Sequence, residues 1–145
     1  MQMRPATPPP SVRFYDSKRN NIGVILTLVA AVFTFSTWMW PIAVPQGRGS
    51  LGVAWGLGAV VVTATYVVGF FLADKQWKRA RTVIVLAAVL HIIGGLASGL
   101  LADANDLAPA LPAALFDIGP AVVAMIGGLL IGPPPSRTDA DSRAR

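Results

Sequence analysis

The chain has 145 residues, of which 54% are apolar and 13% are charged, with a net charge of +5 and no cysteine. A soluble domain carries about 25% charged residues, so the composition argues against a protein that meets water over its whole surface. The lack of cysteine excludes disulfides and thiolate metal sites. The positive charges flank apolar segments, which favours membrane orientation over nucleic-acid binding as their role.

The N-terminal segment, residues 1–21, is polar and rich in proline, and it lacks the apolar core and cleavage site of a signal peptide. We expect a disordered or interfacial tail in which Phe14 and Tyr15 rest at lipid headgroups. Asn20 or Asn21 is a suitable N-cap for the helix that follows.

Four apolar segments follow, each about 20 residues long, which is the length that crosses a ~30 Å hydrocarbon core as a helix. The predicted spans are residues 22–42, 51–73, 82–102 and 113–132. Amphipathic helices of soluble proteins keep a polar face at the helical period, and these segments have almost none. The sequence therefore predicts an all-α membrane bundle of four helices over residues 22–132, followed by a disordered tail over residues 133–145.

Lysine and arginine are distributed unequally among the segments that flank the spans. Eleven of the twelve lie in the N-terminal tail, in the link between spans 2 and 3, or in the C-terminal tail, and only Arg48 lies elsewhere. Short basic segments stay in the cytoplasm, so we expect a plasma (inner) membrane protein with both termini inside. In the middle link, the residues predicted to fix topology or contact lipid headgroups are Lys75, Lys78, Arg79 and Arg81.

Spans 1–2 and spans 3–4 look like two parallel copies of one hairpin. The segment Leu28–Val32 aligns with Val85–Val89, and Trp55–Gly58 aligns with Phe116–Gly119. Both copies begin inside, so they would be related by an axis along the membrane normal. The alternative is a chance match between strings rich in alanine, valine and leucine.

Paired two-span hairpins, each preceded by a basic segment, resemble the SPW-repeat family of small bacterial membrane proteins. The Ser-Pro-Trp motif of that family corresponds to Ser36–Pro41, which has the right residue types in a broken order. Phe116–Gly119 is similar to the opening of the family's second helix, Trp55–Gly58 lacks its Asp, and Ser98–Leu101 lacks both Pro and Trp. The resemblance covers about residues 18–132 and implies no chemistry and no catalytic residue.

His91 lies near the middle of span 3, where a polar side chain is costly and therefore a candidate for function. A proton relay, or a haem ligand in a symmetric dimer, is one interpretation. The simpler one is a neutral ring bonded to a backbone carbonyl or to a threonine at similar depth, such as Thr34, Thr63 or Thr65.

Asp117 is the acid inside span 4, and helical rise puts it ~9 Å further out than His91. An ion, proton or ligand site there competes with a capping role in the first turn of the span, where the helix dipole favours an anion. Thr37, Ser98 and Trp55 lie near Asp117 in depth, so the four residues would form an outer polar layer.

Small residues recur at every fourth position of spans 3 and 4, including Gly95, Gly99, Gly128 and Gly132. Such stripes let helices approach closely in lipid, either within the bundle or against a partner or second copy.

The sequence contains no phosphate-cradling loop, metal-ligand spacing or catalytic set, so we predict no catalytic residue, metal or cofactor. The first hypothesis is a non-enzymatic membrane protein, either an accessory or structural subunit or a homo-oligomer. The alternative is a small transporter or ion-translocating protein that uses Asp117 and His91, and an enzyme or haem protein ranks third. The expected partners are the lipid bilayer and another membrane protein or a second copy, and no nucleic acid.

Overall fold

The computed structural model describes residues 13–43, 49–103 and 110–135, with side chains in residues 13–36, 57–97 and 118–135. Every regular element in these residues is helical. The long helices are α1 Lys18–Ala43, α2 Gly49–Leu72, α3 Trp77–Asp103 and α4 Ala110–Leu130. The predicted all-α fold with four long helices is confirmed.

All four helices begin before the predicted spans do, and α1 and α3 begin among charged residues. A 3-10 turn, Phe14–Asp16, precedes α1 at Lys18, and α3 begins at Trp77 inside the basic link. Lysine and arginine are good helix formers, so a change from apolar to charged residues does not end a helix. The cap assigned to Asn20 or Asn21 is wrong, because both lie within α1 and Ser17 precedes it, accepting a 3.5 Å hydrogen bond from the amide of Asn20.

The helices form a closed ring in chain order. Helix α1 packs on α2, α2 on α3, α3 on α4, and α4 back on α1. Short connections make consecutive helices antiparallel, so α1 and α3 run in the same direction and lie diagonally across the ring.

The interior of the bundle is built mostly of small side chains. The buried alanines are Ala30, Ala31, Ala59, Ala73, Ala80, Ala87, Ala88, Ala121 and Ala124. Among the described residues, Tyr66, Ile84 and Ile131 are the largest fully buried side chains. Small residues let helix backbones approach closely, and the tightest approach is between α1 and α4. A Cβ built on Gly127 would lie 2.7 Å from the carbonyl oxygen of Gly23.

Asn20 joins the two ends of the described chain. Its side chain is fully buried, and its amide nitrogen Nδ2 donates to the carbonyls of Phe14 (3.3 Å) and Pro133 (3.4 Å). Its oxygen Oδ1 accepts a 3.0 Å hydrogen bond from the amide of Gly132. These bonds join the backbone before α1 to the backbone after α4, and they close the ring at this end.

By length and composition, two segments of the described helices are long and apolar enough to cross a membrane, Lys18–Ser36 and Trp77–Ala97. Leu57–Leu72 and Ile118–Leu130 are shorter apolar segments. The core helix of a soluble protein can meet the same criterion.

Candidate functional site

His91, the only histidine in the chain, lies inside the bundle on α3 and is 6% exposed. Its Nδ1 lies 3.3 Å from the hydroxyl oxygen of the fully buried Tyr66 on α2. The ring centroids are 6.3 Å apart and the planes are tilted by 44°, so the two side chains meet through the hydrogen bond rather than by stacking. The hydroxyl donates if Nδ1 is bare and accepts if Nδ1 carries the proton.

Three buried polar atoms have no hydrogen-bond partner within the described part of the chain: Nε2 of His91 and Oγ1 of Thr34 and Thr63. Three other threonine hydroxyls instead donate to the carbonyl four residues earlier, at 2.7 to 3.0 Å, namely those of Thr27, Thr65 and Thr82. Leaving a buried polar atom unpaired costs about 1–3 kcal/mol. Three such atoms in so small a protein therefore need an explanation.

Contacts with α4 show which residues of α1 and α3 lie at the same depth along the bundle. Gly127 packs against the hydroxyl and amide of Thr27 on α1. The next residue, Gly128, packs against Ile84 on α3. Adjacent residues of α4 thus touch Thr27 on one side and Ile84 on the other, so these two residues lie at one level.

Thr34 and His91 follow Thr27 and Ile84 by two helical turns each on helices that run in the same direction, so they also share a level. Tyr66 reaches His91 from α2, and Thr63 precedes Tyr66 by about one turn on the same helix. We call Thr34, Thr63, Tyr66 and His91 the polar layer. It takes side chains from three of the four helices.

The fourth helix contributes a small side chain and an interrupted backbone at this level. Two turns before Gly127 and Gly128, α4 carries Pro120 and the fully buried Ala121. Proline has no amide hydrogen, so the carbonyl of residue 116 loses its helical partner. The polar layer thus lies at the level of the proline of α4.

Chemically, the polar layer is a hydrogen-bonding site. It offers one imidazole nitrogen, one phenol and two aliphatic hydroxyls, which is a poor ligand set for a metal ion. Nowhere in the described residues do three histidine, aspartate or glutamate side chains come together.

The outer polar layer predicted from the sequence lies outside the described side chains. The backbone has Thr37 in α1, Trp55 in α2, Ser98 in α3 and Asp117 in α4. Their mutual contacts, and the ~9 Å offset of Asp117 from His91 along the bundle, stay predictions.

For His91 itself the sequence suggested a threonine hydroxyl or a carbonyl as partner, and the structure supplies a tyrosine hydroxyl. Tyr66 lies about one turn from His91 in depth, and its long side chain covers that distance. Counting depth with side-chain length included would have found it.

The predicted glycine positions have different surroundings. Gly128 packs against α3, and the guanidinium of Arg19 lies against Gly132, so both make contacts within the chain. Gly95 is buried on α3, whereas the surroundings of Gly99 lie outside the described side chains. The closest crossing, between α1 and α4, was not predicted because it depends on one glycine from each helix.

The basic link joins α2 to α3, and its predicted cations are all exposed: Lys75, Lys78, Arg79 and Arg81. A shallow groove of about 500 Å³ is lined by the five consecutive residues 75–79. Lys78 Nζ lies 5.6 Å from the ring centroid of Trp77, and Arg79 donates a 2.8 Å hydrogen bond to Gln76. The cations are thus held at the surface of the bundle end.

No protein-family model, curated protein or solved structure matches this chain. The resemblance to SPW-repeat proteins therefore rests only on the sequence, chiefly on Ser36–Pro41 and Phe116–Gly119.

Proposed function

We propose that this chain is a four-span membrane protein that works without catalysis, as a homo-oligomer or as an accessory subunit of a membrane complex. The observation that carries the membrane part of the proposal is the distribution of side chains between the surface and the interior of the bundle.

Large apolar side chains cover the outside of the described helices. Phe71, Leu90 and Leu57 are 71%, 66% and 64% exposed. Isolated exposed apolar residues are normal in soluble proteins, but a contiguous apolar surface marks contact with a partner or a membrane. Small side chains fill the interior, together with the polar Asn20 and Thr27. Large apolar residues outside and small residues between helices is the arrangement expected in lipid.

Helix length agrees with this proposal. Helices α2 and α4 have 24 and 21 residues, which corresponds to about 36 and about 32 Å of helix. The hydrocarbon core is ~30 Å thick. All four helices are therefore long enough to cross it.

The orientation rests on charge. Every lysine and arginine in the described residues lies at one end of the bundle, either before and in the first turn of α1 or in and just after the link between α2 and α3. The positive-inside rule assigns that end to the cytoplasm. The exposed cations of residues 75–81 then lie at the level of lipid headgroups, where they fix the orientation and attract anionic lipid.

The proposed duplication gains support from burial. Extending the alignment of Leu28–Val32 with Val85–Val89 pairs five of the seven buried residues between Asn20 and Thr34 with a buried residue of α3: Gly23 with Ala80, Thr27 with Ile84, Ala30 with Ala87, Ala31 with Ala88, and Thr34 with His91. The other two, Asn20 and Val24, align with the half-buried Trp77 and the exposed Arg81. We propose that the two helix pairs are copies of one hairpin and that the chain is a distant relative of the SPW-repeat proteins. The resemblance to that family implies no catalytic residue, which agrees with the proposed non-enzymatic role.

The topology can be tested directly because the chain has no cysteine. Single cysteines introduced by Gln76→Cys and Arg48→Cys are treated with a membrane-impermeant maleimide on intact cells. We expect labelling of the Arg48→Cys protein on intact cells and of the Gln76→Cys protein only after the membrane is opened. The reverse pattern, or release of the protein by alkaline carbonate, contradicts the proposal.

The role as a homo-oligomer or accessory subunit is tested by native mass spectrometry of protein extracted from its own membrane in mild detergent. We expect a fixed oligomer or a complex of fixed stoichiometry. A strictly monomeric mass without a partner would refute this role.

The unpaired atoms of the polar layer favour a second candidate, translocation of an ion or proton along His91 and Asp117. In proteoliposomes, a translocating protein would carry a flux that His91→Phe and Asp117→Asn abolish. An accessory protein would show no flux in any variant, and both variants would keep the oligomeric state of the wild type.

A further inference from the structure

We propose that the polar layer binds internal water, hydrogen-bonded to Nε2 of His91 and to the hydroxyls of Thr34 and Thr63. The inference concerns the interior of the bundle, and it goes beyond the membrane placement and the non-enzymatic role proposed above.

The positions of the three unpaired atoms favour one shared ligand. Helices α1 and α3 lie diagonally across the ring, and Thr34 and His91 are buried on them at one level. Thr63 lies on α2, which packs on both α1 and α3. From these positions we infer that the three unpaired atoms border one region of the interior.

The hydroxyls of Thr34 and Thr63 do not bond to their own helices. In a helix, a threonine hydroxyl can donate to the carbonyl four residues earlier, and the buried Thr27 does so to Gly23 at 2.9 Å. Thr34 and Thr63 have the same option but make no such bond. Their rotamers leave the hydroxyls available to another partner.

The donors and acceptors of the unpaired atoms match those of water. The hydroxyls both donate and accept, and Nε2 of His91 donates in one tautomer and accepts in the other. Water offers two donors and two acceptors, so it satisfies either case. Buried water typically makes about three hydrogen bonds to otherwise unpaired groups, and holding it costs less than leaving those groups unpaired.

Size also favours water over a larger polar ligand. Thr34 and Tyr66 are at most 1% exposed, and the neighbouring α4 position is the fully buried Ala121. Pro120 has no amide hydrogen, so the carbonyl four residues earlier in α4 lacks its usual helical donor near this level.

The experiment uses the single histidine of the chain. The full-length protein is labelled with ¹⁵N-histidine and reconstituted in lipid, so that one imidazole gives the whole signal. Magnetisation transfer from water to the ring nitrogens is then measured by solid-state NMR. We expect transfer to Nε2 in the wild type, although the ring is shielded from bulk solvent.

The test variant is Thr34→Val with Thr63→Val, which removes both hydroxyls at nearly constant volume. The matched control is Thr27→Val, since that hydroxyl is equally buried but bonded to its own helix. We expect the transfer to be lost in the double variant and kept in the control.

No transfer in the wild type overturns the proposal, and so does equal transfer in the double variant and the control. The wild-type measurement needs no substitution, so it can refute the proposal even if the double variant does not fold. Thr34→Ser with Thr63→Ser keeps both hydroxyls and should restore the transfer, and loss of transfer in that variant also contradicts the proposal.

Discussion

The crossing of α1 and α4 should be the part of the bundle most sensitive to a single methyl group. A Cβ built on Gly127 would lie 2.7 Å from the carbonyl oxygen of Gly23, and 2.8 Å and 3.0 Å from the hydroxyl oxygen and amide nitrogen of Thr27. Two of these three atoms belong to the backbone of α1, which cannot rotate away as a side chain can. In Gly127→Ala the helices must therefore separate by about 0.7 Å to reach ordinary contact at 3.4 Å.

The magnitude follows from two opposing effects. Alanine favours the helix over glycine by up to about 1 kcal/mol. Forcing a methyl group into a packed interface typically costs about 1–3 kcal/mol, and here the cost should be at the upper end because the obstacle is backbone. Gly58→Ala is the matched control, since a Cβ at Gly58 meets nothing within 4 Å and the residue also lies inside a helix. The propensity gain is common to both variants, so we expect Gly127→Ala to be about 2–3 kcal/mol less stable than Gly58→Ala.

The assay is equilibrium unfolding by sodium dodecyl sulfate in mixed micelles, followed by the fluorescence of the four tryptophans. Gly127→Ala should unfold at a lower fraction of dodecyl sulfate than the wild type, and Gly58→Ala at the same or a higher fraction. Equal stability of the two variants would show that α1 and α4 do not meet at Gly23 and Gly127.

Two further predictions use the same unfolding assay, and a third uses membrane insertion. Tyr66→Phe should cost about 1–3 kcal/mol, because it leaves Nδ1 of His91 buried and unpaired; a variant as stable as the wild type would contradict the hydrogen bond. Asn20→Ala should destabilise the bundle by about 2 kcal/mol or more, since it removes three side-chain hydrogen bonds. The control Asn21→Ala, which loses one exposed bond, should cost less than 1 kcal/mol; an equal loss would rule out the joining role. Leu90→Arg should reduce the membrane insertion of α3 by about 2.5–3.5 kcal/mol, as measured in a translocon insertion assay, because a charge near the middle of a membrane-crossing helix is costly; failure of the unsubstituted α3 segment to insert would contradict the membrane proposal.

The sequence alone was enough to predict the number and approximate position of the helices. Four apolar stretches of membrane-crossing length, separated by proline, glycine and charge, allow few other elements. The basic clusters indicated which helix ends belong together, because charge of one sign collects at one end of antiparallel neighbours. His91 was recognisable as a costly residue because it lies in the middle of an apolar segment.

Which residues meet across the interior was decided only by tertiary structure. The apolar segments have almost no polar face, so their periodicity does not indicate how each helix is rotated about its axis. That rotation selects Tyr66 as the partner of His91, brings Gly23 against Gly127, and turns Asn20 into a link between α1 and the end of α4. Packing fixes rotation because only small residues permit the closest approach of two helices, and the resulting levels gather Thr34, Thr63, Tyr66 and His91 into one layer.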